Sequence, residues 1–123
     1  MAGLYNLKDS VADTSDINRV VEVASADGAI TIPDRGSKTV FITKGSAAAL
    51  TLAAPSTAQN GVKITFASTT AYAHTVTAAT IGFNDLGTSG DVGTFGAAKG
   101  NGFTCEAYAG DWFVTSNINV TFA

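Results

Sequence analysis

From Val20 to Phe122 the chain is a succession of short runs rich in Thr, Val, Ile and Phe, each broken by Gly, Asn, Asp, Ser or Pro. This texture constrains the fold more than any other feature, because β-branched and aromatic runs between turn formers fit strands. The runs predict strands at Val20 to Ala24, Ala29 to Ile32, Thr39 to Lys44, Ala49 to Ala53, Val62 to Ser68, His74 to Ala78, weakly near Thr94, Gly102 to Ala109, Asp111 to Ser116 and Ile118 to Phe122. The starts at 29, 39, 49 and 62 fall about ten residues apart, the interval of a sandwich or barrel built of hairpins. The expected fold is therefore all-β, an antiparallel β-sandwich or barrel of short strands.

Alternation supports half-buried strands. Val40 and Ile42 point opposite to Thr39, Phe41 and Thr43; Val62, Ile64 and Phe66 point opposite to Lys63, Thr65 and Ala67; Phe103, Cys105 and Ala107 alternate with Thr104, Glu106 and Tyr108. Ala109-Gly110-Asp111 reads as a tight hairpin in which Gly110 supplies a positive φ and returns Trp112 and Val114 beside the preceding strand. No window carries an apolar stripe at helical spacing with caps, so little helix is expected. The stretch from Gly82 to Gly102 holds seven of the 13 glycines and reads as a mobile loop, interrupted by one short strand around Val92 to Phe95.

The length of 123 residues suits one domain. With 46% apolar and 14% charged residues the chain folds. Its apolar share is mostly small, with 21 Ala beside 17 Thr and 13 Gly, so the 7 Phe, 3 Tyr and 1 Trp must supply the bulk of a thin core. Residues 1–17 read differently: Leu4, Tyr5, Leu7 and Val11 punctuate an acidic stretch without sustained period. They read as a terminal strand or loose tail or, functionally, as an extended N-terminal arm that orders on a partner through Leu4, Tyr5 and Leu7, ahead of a single β domain at 18–123.

Seven basic against ten acidic residues give a net charge of −3, the wrong sign for neutralising nucleic-acid phosphates. The distribution is uneven. Residues 1–34 carry six acids and two bases, 35–84 carry Arg35, Lys38, Lys44 and Lys63 with no acid, and 85–123 return to −3. The middle segment reads either as scattered solvated charge or, more sharply, as one mildly positive face that complements an acidic partner or a neighbouring copy. A membrane partner is not expected, since no stretch approaches the roughly 18 apolar residues that span a bilayer, and the start lacks a secretory pattern.

Reactive chemistry finds few candidates. Cys105, the single thiol, cannot pair internally, and Glu106 and Asp111 nearby oppose thiolate formation. His74, the single histidine, reads as a hydrogen-bonded strand residue or an interface contact. The acids Asp27, Asp34, Asp85, Asp91 and Asp111 fall at turns and strand ends, where turn chemistry places them, and no calcium-loop, P-loop or dinucleotide fingerprint is present. No catalytic residue, cofactor or metal is expected.

Ala26 to Thr80 contains Asp-Gly-x-Ile-Thr-Ile, Val-x-Ile-Thr-Lys-Gly, Leu-Thr-Leu-Ala-x-Pro, Gly-x-x-Ile-x-Phe and Ala-His-Thr-Val-Thr, and the ending GFTCEAYAGDWFVTS holds an Ala-x-x-Gly-x-Trp hairpin. Over more than half the chain this pattern resembles small β-rich structural virion proteins of tailed bacteriophages, the head decoration or cement class among them. The resemblance implies a non-enzymatic protein, made in the host cytoplasm and carried on the outer capsid surface. It also implies a homotrimer that clamps junctions of the major capsid protein. Leu4, Tyr5 and Leu7 of the arm, with Arg35, Lys38, Lys44 and Lys63, are the candidate contacts. The alternative is a tail-fibre module that binds a receptor or carbohydrate, with Trp112 beside Asp111, or Phe83 beside Asn84 and Asp85, as the stacking platform.

Overall fold

Ten strands form close to where the alternation places them. The structure, a computed structural model, describes residues 19–123; the arm expected at 1–17, with Leu4, Tyr5 and Leu7, lies outside the described residues. The strands are β1 (Arg19–Ala24), β2 (Gly28–Ala29), β3 (Ser37–Ile42), β4 (Ala49–Thr51), β5 (Lys63–Ser68), β6 (Thr75–Thr77), β7 (Val92–Phe95), β8 (Gly102–Tyr108), β9 (Asp111–Ile118) and β10 (Val120–Phe122). Helix among the described residues is confined to two single 3-10 turns, at Thr57–Gln59 and Gly87–Ser89.

Two five-stranded sheets pack face to face as a sandwich, one in the order β1-β3-β5-β8-β9, the other β10-β7-β6-β4-β2. They do not close into a barrel. The sheets are mixed, which corrects the antiparallel expectation: β1, β3 and β5 run parallel, as do β2, β4 and β6. Up to β6 every connection crosses from one sheet to the other, so the chain winds as a coil. Ser37 comes to lie beside Arg19, and Lys63 beside Ser37. The ten-residue interval is thus half a turn of coil and not a hairpin. The shortest crossing, Ser25 to Asp27, suffices because three residues at about 3.3 Å each span the roughly 10 Å between stacked sheets. After β6 the chain changes habit, and β7 to β10 join their neighbours antiparallel.

The inward sides of the strands make one core. Val40, Ile42, Ile64, Phe66, Leu50, Val76, Cys105 and Trp112 are all buried, as their alternation requires. Phe103 is the hub, with ring centroids 5.0 Å from Phe66, 5.4 Å from Phe83, 6.1 Å from Phe95 and 5.0 Å from Phe122. Five of the seven phenylalanines therefore meet at one place, which is how a chain of small residues obtains a dense centre.

The expected loop from Gly82 to Gly102 is built into that centre, another correction. Phe83 and Phe95 are buried, the Asn84 N–H donates to the Trp112 carbonyl (2.8 Å), and the Asn84 side-chain oxygen accepts the Val114 N–H (2.8 Å). Its glycines serve close packing. A Cβ on Gly102 would stand 1.9 Å from the Phe66 carbonyl oxygen, so only glycine lets β8 approach β5 at that point. The hairpin between β8 and β9 forms as read: Ala109 (φ 52°) and Gly110 (φ 82°) both take the left-handed conformation of a type I′ turn.

Candidate functional site

Among the described residues, the histidine and the cysteine are both used inside the fold. His74 is fully buried immediately before β6. Its Nδ1 accepts the Ala48 N–H at 3.0 Å, which requires a neutral ring protonated on Nε2, and Nε2 faces the Thr70 hydroxyl at 3.0 Å and carbonyl at 3.3 Å. Burial holds its pKa below the ordinary imidazole value; the Thr70 carbonyl opposes this and the Lys44 charge adds to it. The histidine ties the β6 strand to the crossing before β4 and is not placed to act as a base.

Cys105 is buried and directs its Sγ at the Ile64 carbonyl, 3.7 Å away. Burial raises its pKa far above the ordinary thiol value, so it remains a packing thiol at neutral pH. Trp112 is fully buried and its indole N–H donates to the Ala53 carbonyl at 2.8 Å. Phe83 is fully buried as well. Neither aromatic named as a sugar platform reaches solvent. Among the described residues, no group of three or more His, Cys, Asp or Glu comes together as metal ligands.

The four middle cations are not brought to one face. Lys38 points between the sheets, only 5% exposed, where it pairs with Glu22 and donates to the Thr31 carbonyl at 2.7 Å. Lys44, beyond the far end of β3, binds Asp27 at 2.8 Å; Asp27 also accepts the Ala49 N–H at 2.9 Å. The Lys44 hydrogen bond and the Ala49 N–H hold the Asp27 carboxyl below the usual carboxylate range. Lys63 lies 3.8 Å from Glu106 across β5 and β8. Arg35 is exposed beside Lys63, because the Lys63 N–H donates to the Gly36 carbonyl at 3.2 Å. Lys38, Lys44 and Lys63 are each drawn to an acid at a different place, so the charges of the middle segment are scattered and not gathered on one positive face.

Sequence reasoning missed the outer face of the first sheet. Register places Val23, Phe41, Ala67, Gly102 and Ile118 in one row across all five strands. Val23 is 62% and Ile118 60% exposed, and Phe41 is exposed between them. A second row, Val21, Thr39, Thr65, Thr104 and Ser116, runs beside it, with the Thr65 and Thr104 hydroxyls 2.8 Å apart. At the β8–β9 end, Glu106, Tyr108, Phe113 and Thr115 line an open hollow of about 370 Å³. The signal for this face lay in the outward positions Phe41 and Ile118, but only strand order makes a row of them.

The fold defines a class: a two-sheet β-sandwich, begun as a parallel coil and finished by antiparallel strands, that offers broad sheet surfaces. The chain matches no protein-family model and no curated sequence at a significant level.

Proposed function

We propose that the protein is a capsid decoration protein of a tailed bacteriophage, seated on the outer surface of the head through a sheet face. The observation that carries this reading is the apolar row from Val23 to Ile118, flanked by hydroxyls, on the outer face of five hydrogen-bonded strands. Apolar side chains gathered across one face favour association with another protein surface. The motif resemblance supports a shell of major capsid protein as that surface. On such a shell the same modest contact recurs many times, so the free energy of clamping is distributed over many copies. Lys63 on β5, exposed Arg35 in the segment before β3, and Leu4, Tyr5 and Leu7 of the preceding segment are proposed to add to the contact.

Purified protein mixed with undecorated heads tests this. Wild type is expected to co-sediment saturably. Phe41→Asp with Ile118→Asp, both outward, is expected to lose at least tenfold in apparent affinity while keeping the wild-type circular dichroism spectrum at the assay temperature. A variant lacking residues 1–17 measures what the arm contributes, and equal binding by that variant removes the arm from the contact. Undiminished binding by the double aspartate variant contradicts the face assignment.

One observation favours a second reading, a carbohydrate-binding module on a fibre. The hollow at Tyr108, 64% exposed, has Glu106 beside it, the pairing of ring and carboxylate that a sugar uses. Saturable binding to host-cell glycans, abolished by Tyr108→Ala, would establish that reading in place of the first.

A further inference from the structure

The four sheet edges are unequal. β2 is two residues long and β10 three, and β9 carries a register shift where it pairs with β8, each a device that discourages further pairing. Among the described residues β1 is less protected, its one outward charge being Arg19 at the first position. It is a six-residue strand at the edge of the first sheet, with no proline and no outward lysine. Its Val20, Val21 and Val23 are 38%, 63% and 62% exposed, three of the eight large exposed hydrophobic residues among those described. Its one carboxylate, Glu22, turns inward to Lys38 and leaves the edge uncharged between Val20 and Ala24.

The direction of the free backbone groups can be read from the ladder. The Ala24 carbonyl accepts the Thr43 N–H at 3.0 Å, so Ala24 bonds toward β3. In a parallel ladder alternate residues address the same neighbour. Val20, Glu22 and Ala24 therefore bond β3, and Val21 and Val23 aim N–H and C=O at the open side. These are also the residues whose side chains stand on the outer face.

We propose that β1 is the seam of a two-fold dimer, in which β1 of a second copy of this chain pairs antiparallel with it about Val21. An isologous contact must be self-complementary, and pairing must keep outward residues opposite outward residues. Centring on Val21 satisfies both: Val21 exchanges N–H···O=C bonds with Val21 of the second copy, and Glu22 falls opposite Val20 of that copy. A shift of two residues toward Ala24 puts Glu22 opposite its own counterpart, a like-charge pair that costs stability. The two sheets then join as one ten-stranded sheet, and the apolar rows of both copies lie on the same side. An assembly with this seam has an even number of chains, in contrast to the trimer that the motif resemblance implies.

The full-length protein, in solution without shells, provides the test, so the outcome is independent of capsid binding. Light scattering is expected to give the mass of two chains, falling to one in Val21→Lys with Val23→Lys. Both positions face outward, and an unchanged circular dichroism spectrum reports that the variant folds. Hydrogen-bonded antiparallel partners have Cα atoms about 5.5 Å apart, within the disulfide range. Val21→Cys is therefore expected to form a disulfide-linked dimer in mild oxidant, and Val23→Cys, displaced from the axis, to cross-link at least tenfold more slowly. A monomer or trimer by mass, or faster cross-linking at 23 than at 21, overturns the proposal.

Discussion

At the scale of single residues, His74 is the group whose protonation the fold resists. Its neutral ring accepts the Ala48 N–H, and a proton on Nδ1 removes that bond and places a charge where burial and Lys44 both oppose it. The folded-state pKa lies below the unfolded value, near 6.5 for an ordinary imidazole, so the unfolded chain binds more protons as pH falls through that value. Stability is therefore full above the unfolded pKa and declines as pH falls toward the folded one. The Asp27 pair acts in the same direction but only in the carboxylate range, well below. Thermal melts at pH 7 and pH 5 are expected to show a drop for wild type and a smaller one for His74→Asn, whose side-chain oxygen can still accept the Ala48 N–H. Equal drops in the two proteins would contradict the role given to His74.

At the scale of elements, the β8–β9 hairpin shows how local chemistry sets a turn. Ala109 and Gly110 both hold positive φ, which costs an L side chain roughly 1 kcal/mol and glycine little. Gly110→Val is expected to destabilise by about 1–2 kcal/mol, whereas Ala109→Asn, creating the favoured Asn-Gly pair, is expected to stabilise by roughly 0.5–1 kcal/mol. Urea denaturation of the three proteins checks both signs. This hairpin was legible in the sequence because Gly110 sits between two alternating runs. Strand positions were legible for the same reason, since burial on one face writes itself into every second residue, as in Val62, Ile64 and Phe66. The partner of each strand was not. Alternation reports which way a side chain points and is silent about its neighbour, so the spacing from Ala29 to Val62 fits a hairpin or a half-turn of coil equally well. The glycine-rich stretch misled for a related reason: composition suggested freedom, while Gly102 is required by a close carbonyl and Phe83 anchors the segment.

At the scale of the whole molecule, the division between core and surface explains why the site was only partly readable. Cys105 and Trp112 could be assigned to the core from alternation alone. The positive face could not be tested that way, because charge along the chain does not reveal that Lys38 lies between the sheets with Glu22 or that Lys44 turns to Asp27. The row from Val23 to Ile118 is a property of strand order and so emerges only in three dimensions. Beginning the sandwich as a coil has a consequence for assembly: among the described residues the first turn is left with an unpaired edge at β1, next to the face that we propose for the shell. Edge and face together suit a protein that works by adhering to a larger periodic surface. The most direct measurement of the proposed role is a reconstruction of tailed-phage particles produced together with this protein. The account predicts density of its two-sheet shape repeated over the outer surface of the head, with the first sheet toward the shell; density confined to the tail, or a particle without this protein, would contradict it.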